Sequence, residues 1–431
     1  MPPRGLIIAA PSSGSGKTTI TLGLLRALSD TGRKVIGFKS GPDYIDPQFH
    51  SAAARTPSSN LDAWAMPRET IQRLVYGNGS DNLVVIEGAM GLYDGAPPDG
   101  KGSVADLARQ LQLPVILVVN AASMAQSVAA LVSGFSNFDP EVTISGVILN
   151  NVGSARHDKM LRKALASCSV PVLGSVFRDQ SLTLPSRHLG LVQAGEHADL
   201  EQFIRNAARV ISSAIDVTQI DNLAISLRRP GSSIRRTAKS RYNRIAIAHD
   251  KAFAFLYPHL VSRWQEQGSE IEYFSPLADE PVPESDLVYL PGGYPELYAD
   301  TLSETKNFFP SLRRAADSTE IFGECGGYMV LGHTLTDADG TDHKMAGLLD
   351  LHTSFANRKL HLGYRMLQGL DSSMSGAFTA HEFHFATTVR AVGAPLFQAW
   401  DAEGMRLEDM GLVEGNVRGS FAHIIDTIES G

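Results

Sequence analysis

An α/β fold in two domains is what this sequence predicts, and three observations carry the prediction. Short apolar runs recur between helical patterns through the first half, as in a buried parallel sheet with crossover helices. A second alternation of the same kind begins at Ile245, after a charged stretch punctuated by Pro230 and Gly231. The 431 residues suffice for two cores, and 43% hydrophobic with 19% charged content is that of a globular enzyme. On this reading one domain spans residues 1–226, a linker 227–243, and a second domain 244–431.

The first strand is Leu6–Ala10, and a small-residue loop follows it: Pro11, Ser12, Ser13, Gly14, Ser15, Gly16, Lys17, Thr18, Thr19. A helical pattern with Ile20, Leu24, Leu25 and Leu28 on one face leads out. Strand, loop and helix in this order form a phosphate cradle, because backbone N–H groups and a helix N-terminus converge on one anion. Ser13 to Thr19 are therefore the ATP-binding candidates, with Lys17 reaching the outer phosphates and the Thr18 hydroxyl a ligand for Mg2+. Pro11 stands where the usual pattern has its first glycine.

Further strands are read at 34–38, 83–86, 114–119, 145–149 and 172–176. Ligands of open parallel sheets bind beyond the carboxyl ends of the strands, so the residues after each run carry the chemistry. After the second comes Lys39-Ser40-Gly41-Pro42-Asp43-Tyr44-Ile45-Asp46-Pro47, and after the third Glu87-Gly88-Ala89-Met90-Gly91-Leu92-Tyr93-Asp94-Gly95. A lone carboxylate at a strand end can be a helix cap or a solvated turn residue. Two acidic loops beside one phosphate loop favour contact with metal or substrate: Asp43 and Glu87 join Thr18 as metal candidates, and Tyr44, Asp46 and Asp94 face substrate. Asn150 either reads the adenine edge or forms a turn. Arg187 and His188, in a loop after the last strand, suit an anionic substrate or serve structure.

In the second half, strands at 245–248, 271–274 and 286–290 precede Gly323-Glu324-Cys325-Gly326-Gly327. A Gly-x-nucleophile-x-Gly sequence between a strand and a helix is a nucleophile elbow. Cys325 would stand at its tip with a helix N-terminus favouring thiolate, while amides of Gly326 and of Gly292 or Gly293 form an oxyanion hole. Cys168 lacks such a frame and reads as structural. The segment His381-Glu382-Phe383-His384 lacks the H-E-x-x-H spacing of a helical zinc pair, so zinc is not expected. Spacing alone does not choose a base for Cys325 among 13 histidines.

Composition narrows the partners. A net charge of −8 argues against a general nucleic-acid binder, and two cysteines are too few for a disulfide framework. The N-terminal apolar run is too short for a signal-peptide core, and no run approaches the roughly 20 residues of a membrane span. A cytoplasmic protein acting on small molecules is expected, with no nucleic-acid or membrane partner and a homodimer left open.

The loops 41–47, 87–95 and 184–191 resemble those of the cobyrinic acid a,c-diamide synthases. So do Phe274 to Asp279, Leu290 to Glu296, the cysteine elbow and Gly419-Ser420-Phe421-Ala422-His423. The resemblance covers nearly the whole chain and is nearest the branch whose substrate is hydrogenobyrinic acid. It implies a P-loop domain of dethiobiotin synthetase type, followed by a flavodoxin-like class I glutamine amidotransferase domain. It also implies that His423 is the partner of Cys325. Related glutaminases complete a triad with an acid two residues after the histidine; here that position is Ile425, so a dyad held by another acceptor, such as a backbone carbonyl, is expected. The activity implied is amidation of two ring acetates, with ATP activating the carboxylate and glutamine supplying ammonia over an interdomain path. The alternatives are another glutamine-dependent ligase, such as cobyric acid synthase, and, more remotely, a partitioning ATPase.

Overall fold

The structure, a computed structural model, describes residues 2–77, 79–182, 199–229 and 239–428. It divides into two compact units, Met1–Ile234 and Arg235–Gly431. Arg187 and His188 lie outside the described residues.

The N-terminal unit runs β1 (Arg4–Ala9), α1 (Lys17–Asp30), β2 (Val35–Ser40), α2 (Asp46–Ala54), β3 (Ser59–Leu61) and α3 (Arg68–Tyr76). It continues with β4 (Leu83–Glu87), α4 (Val104–Leu111), β5 (Val115–Asn120), α5 (Ser127–Phe138), β6 (Ile144–Val152) and α6 (Ala155–Leu165). Then come β7 (Val172–Phe177), α7 (Leu200–Ala214), α8 (Val217–Leu223) and β8 (Ile225–Ser226). Seven strands pair in the order β3-β2-β4-β1-β5-β6-β7, all parallel, and β8 adds antiparallel to β1. The six apolar runs read from the sequence are all strands. The short β3 and β8 are not legible there, since three and two residues carry no period.

The central strands β1, β4 and β5 are buried almost throughout, which is why they read as continuous apolar runs rather than alternations. Chain order reverses around β1, and that reversal opens a crevice at the carboxyl ends. Register does the positioning: Glu87 of β4 lies beside Ile8 of β1 on one side and Lys39 of β2 on the other.

The helices of this unit are tied by Arg26 of α1, which is 1% exposed. Its Nε and Nη2 donate to the Ala53 and Ala52 carbonyls at the end of α2, at 2.9 and 2.8 Å, and its Nη1 meets Glu201 of α7 at 2.7 Å.

The C-terminal unit opens with β9 (Arg244–Ala248), α9 (Pro258–Glu266), β10 (Glu270–Phe274), β11 (Leu287–Leu290), α10 (Ala299–Ser303), α11 (Phe308–Ala315), β12 (Glu320–Glu324) and α12 (Gly326–Leu331). The remainder is strand: β13 (Thr334–Thr336), β14 (Asp342–Lys344), β15 (Asp350–Ser354), β16 (His361–Gly369), β17 (Ala377–His384) and β18 (Thr387–Val392). The last are β19 (Phe397–Trp400), β20 (Leu412–Glu414), β21 (Val417–Ser420) and β22 (Ala422–Ile428). The main sheet is β10-β9-β11-β12-β21-β20, parallel except for β20 at the edge, so its parallel part has the flavodoxin order 2-1-3-4-5.

Alternation along its strands divides the core in two. Ala246, Val288, Leu290 and Ile321 pack with Phe308, Leu312 and Met329 of α11 and α12. Ile245, Ile247, Tyr289 and Phe322 pack instead with Leu367, Phe378, Ala399 and Ile424, which belong to a four-stranded sheet, β19-β16-β17-β22. A sheet-covered face is a departure from the plain strand–helix alternation expected. β17 is buried on both faces and carries His381, Glu382 and His384, so its alternation is invisible in the sequence.

Replacing Arg26 by methionine leaves two helix-end carbonyls, one buried and one part-buried, without their donor. A loss of about 2 kcal/mol is expected, read as an earlier denaturation midpoint for the N-terminal unit. An unchanged midpoint would show that the Arg26 tie contributes nothing net.

Candidate functional site

The phosphate loop sits between β1 and α1, with Gly14 and Gly16 at positive φ of 73° and 87°. Asn150 at the end of β6 donates its Nδ2 to the Ser15 carbonyl at 2.9 Å, and a side chain on Gly16 would collide with that amide. Asn150 thus braces the loop; the adenine contact expected of it would have to use its other atoms. The Ser15 hydroxyl donates to the Ser12 carbonyl at 2.9 Å and closes the turn.

A cavity of about 660 Å³ opens over this loop, within the roughly 300–1,000 Å³ usual for small-molecule sites. Ser13, Gly14, Gly16, Lys17, Thr18, Thr19, Glu87 and Asn150 line it, as expected from the sequence. Asn151, next to Asn150 in the sequence, lines it too, as do Lys39 and Asp179, which sequence reading does not single out. Their signal is position, at or just past the ends of β2, β6 and β7.

Glu87 is fully buried and carries the site's electrostatics. The Thr18 hydroxyl donates to its Oε1 at 2.6 Å, Lys39 Nζ to the same oxygen at 2.8 Å, and His50 Nε2 lies 2.6 Å from Oε2. Against the burial that would raise it, Lys39 and His50 hold Glu87 well below the usual carboxylate range. Lys39 also pairs with Asp46 at 2.6 Å, and the two carboxylates hold it well above an ordinary lysine despite burial. Lys17 donates to the Met90 carbonyl at 2.5 Å; burial and the Lys39 charge lower its pKa.

The acidic loops are placed differently from one another. Asp43 Oδ1 accepts the amides of Ile45 and Asp46 at 2.8 and 3.0 Å, closing the turn that precedes α2, and Asp43 is not among the cavity-lining residues. Thr18 and Glu87 are in contact, but the third metal candidate, Asp43, is engaged in this turn. Asp46 is bound to Lys39, and burial with the neighbouring Asp43 raises its carboxyl. Asp94 Oδ2 accepts the Gly91 amide at 3.0 Å, and Tyr44 is buried. Neither residue lines the cavity.

In the C-terminal unit Cys325 links β12 to α12 at φ 47° and ψ −104°, the strained conformation of an elbow. The flanking glycines act by close approach, since a side chain on Gly327 would strike the Leu290 carbonyl. The Cys325 amide donates to the Ser420 carbonyl at 2.8 Å, tying the elbow to the end of β21. The chain then turns at Phe421 into β22, which carries His423. A Cβ on Gly292 would collide with His423 Cε1 and lie 3.1 Å from Nε2 and 3.3 Å from Cys325 Cβ. Cys325, His423 and Gly292 therefore meet at one point, and Gly293 N lies 3.0 Å from where a Gly326 side chain would begin.

Burial is the dominant electrostatic fact of this site. Cys325 is 2% exposed and its thiol is pushed well above the ordinary value, first by burial and then by the Glu296 carboxylate. The thiolate expected from the helix N-terminus is not favoured in this state, because desolvation and surrounding carboxylates outweigh the amides of a six-residue helix. Burial, then His381 and His384, lower His423 to about 3, which keeps the resting imidazole neutral. His423 Nδ1 lies 3.7 Å from Glu324 Oε2.

His361, Glu382 and His384 come together across β16 and β17, with ligand-type atoms within 4.8 Å of one another. Glu382 and His384 stand two apart on β17, and His361 comes from the neighbouring β16, so the group is built across strands rather than on a helix. The Glu382 carboxylate is bound by Arg365 at 2.6 Å and by His384 at 2.9 Å, which hold it at about 2 against burial.

Comparison with known proteins joins the two halves. Residues 6–192 match the CobQ/CobB/MinD/ParA nucleotide binding domain, and residues 244–428 match the CobB/CobQ-like glutamine amidotransferase domain. The chain therefore couples a nucleotide-binding domain to a glutamine amidotransferase domain. Proteins named hydrogenobyrinate a,c-diamide synthase match it end to end. The one from Brucella anthropi is 52% identical over 431 residues, covering 98% of each chain. That of Rhizobium meliloti is 52% identical over 430 residues, covering 99% of this chain and all of its own. That of Rhodobacter capsulatus is 46% identical, covering 98% and 99%. The chain belongs to the hydrogenobyrinate a,c-diamide synthase family. Among the described residues, no helix is long and apolar enough to cross a membrane.

Because burial raises the Cys325 thiol, its alkylation by iodoacetamide should climb continuously from about pH 6 to pH 9 as thiolate accumulates. A plateau beginning below about pH 7 would mean that the resting site already holds a thiolate.

Proposed function

We propose that this protein amidates the a and c acetate side chains of hydrogenobyrinic acid, using ATP and glutamine. The observation that carries the reading is the meeting of Cys325 and His423 at Gly292 in a chain that also holds a phosphate-loop cavity. Family membership supplies the substrate class. The N-terminal domain is proposed to activate the carboxylate and the C-terminal domain to release ammonia.

A carboxylate resists amidation because its leaving group would be oxide, so transfer of the ATP γ-phosphoryl to the acetate is the step that makes displacement feasible. Amides of Ser13 to Thr19 and the Lys17 ammonium stabilise the charge on the transferring group. The residues at the cavity fit Mg2+: the Thr18 hydroxyl and the Glu87 carboxylate are hard oxygen donors in contact at 2.6 Å, and they would hold the ion. When bound, Mg2+ supplies charge neutralisation for the phosphates. Asp43, Asp46 and Lys39 keep the Glu87 side of the cavity electrostatically balanced. Tyr44, Asp94, Arg187 and His188 remain proposed substrate contacts.

In the second domain the Cys325 thiol passes its proton to neutral His423 as sulfur attacks the glutamine side-chain amide. Amides of Gly293 and Gly326 would receive the oxyanion. His423 returns the proton to the departing nitrogen, ammonia leaves, and water hydrolyses the thioester. The ammonia then displaces phosphate from the activated acetate. The setting proposed is the cytoplasm, with small-molecule partners; a homodimer is compatible with this scheme.

Incubation of hydrogenobyrinic acid with ATP and glutamine should add two amides, read by mass spectrometry; unchanged substrate mass would overturn the reading. Cys325→Ser should lose glutamine-supported synthesis by a factor of about 1,000 or more while high ammonia still supports it. Lys17→Ala should lose synthesis with either nitrogen source, and near-normal turnover with ammonia would remove Lys17 from its role.

A further inference from the structure

We infer that Glu324, the residue immediately before the nucleophile, is the positioning carboxylate of His423. The inference rests on the glutaminase reading of Cys325 and His423. Three observations lead to it.

The position two residues after the histidine cannot supply an acid. Ile425 is fully buried and apolar, and its carbonyl accepts His259 Nε2 at 2.7 Å. The pairing of β22 with β17 also slips here: Ala380 faces Ile424 whereas Thr379 faces Asp426, so Ile425 is the extra residue of a bulge. A bulge re-aims the side chains around it. The next acid, Asp426, is turned to Arg263 of α9 at 2.6 Å.

Glu324 takes the vacated role from another strand. It is the last residue of β12, 1% exposed, with Oε2 3.7 Å from His423 Nδ1. The opposite edge of the ring, Nε2, borders the Gly292 space shared with Cys325. Carboxylate, imidazole and thiol therefore stand in the order that a general base requires. At 3.7 Å the contact is longer than a hydrogen bond, and such contacts tighten when the base gains its proton.

Glu324 is itself held in place. Its Oε1 accepts the Ile424 amide at 3.1 Å and its Oε2 accepts the Tyr289 hydroxyl at 2.7 Å. Burial raises the Glu324 carboxyl to about 8, and these two donors, from β11 and β22, oppose that rise and fix the group where it faces Nδ1. During attack, the proton leaving Sγ binds Nε2, the imidazolium donates Nδ1–H to Glu324, and the proton on Nε2 goes to the leaving nitrogen. Glu324 ends the cycle as it began.

The test uses the full-length enzyme. Glu324→Gln keeps the shape but offers Nδ1 an amide donor, which favours the wrong tautomer of His423. Glutamine-supported kcat should fall by about 100-fold, with the glutamine KM within about twofold and ammonia-supported turnover unchanged. Glu324→Asp retains the charge and should recover part of the loss. Histidine 15N spectra, with His423 identified by the signal missing in His423→Asn, should show Nδ1 protonated in the wild type and Nε2 protonated in Glu324→Gln. Wild-type kcat in Glu324→Gln, or a wild-type His423 with bare Nδ1, overturns the inference. If Glu324→Gln also loses ammonia-supported turnover, the wild-type spectrum alone decides. Should Cys325→Ser retain glutamine-supported synthesis, the glutaminase reading fails instead, and the two failures are distinct.

Discussion

The N-terminal site depends on keeping one carboxylate charged in a place without water. Glu87 is fully buried, and an isolated carboxylate there would take up a proton. Lys39, His50 and Thr18 prevent this from three different elements, β2, α2 and α1. Each partner is positioned by something else: Lys39 by strand register, His50 by the face of α2 turned to the sheet, Thr18 by the exit of the phosphate loop. Both Glu87 oxygens are thereby engaged, Oε1 by Thr18 and Lys39 and Oε2 by His50, at the lining of the phosphate-loop cavity. Asp46 on Lys39 extends the same balance outward.

The cysteine site follows the opposite policy. Burial outweighs what would stabilise charge in the resting state: it raises the Cys325 thiol against the Gly326 amide and lowers His423 against the Glu382 carboxylate. Both partners are thereby held neutral in the resting state. In the adjoining network the Glu382 carboxylate is paired with Arg365 and His384, and it still acts on the site, raising the Cys325 thiol. A strained backbone at Cys325 and a side-chain-free Gly292 make the approach of thiol and imidazole geometrically feasible.

Both units place chemistry at the carboxyl ends of parallel strands, but they complete their sites differently. In the first, every described contributor follows the strand–loop–helix rhythm of a doubly wound sheet. In the second, β12 leads straight into Cys325 at the elbow. His423 comes from β22, a strand of the covering antiparallel sheet that the chain enters only after finishing β21. That switch of sheets at Phe421 is what brings residue 423 to residue 325.

How much of this was legible in the sequence depends on whether the signal is local. The phosphate loop, the six apolar strands around it, Glu87 at a strand end and the cysteine elbow are all written in contiguous residues. Their chemistry follows from backbone geometry that short stretches impose by themselves. His423 was reached by resemblance, because no spacing rule joins it to Cys325. Lys39, His50 and Glu324 lay in plain view, two of them inside the quoted motifs, yet their partners are strands and helices brought near only by register and packing. Asp43, a metal candidate from its loop, has one carboxylate oxygen engaged by the Ile45 and Asp46 amides of its own turn. A sequence determines which groups can carry charge and which turns the backbone can make. Only tertiary packing decides which of those groups lose their water, and it is the loss of water that separates a buried Glu87 or Glu324 from an ordinary acid in a loop.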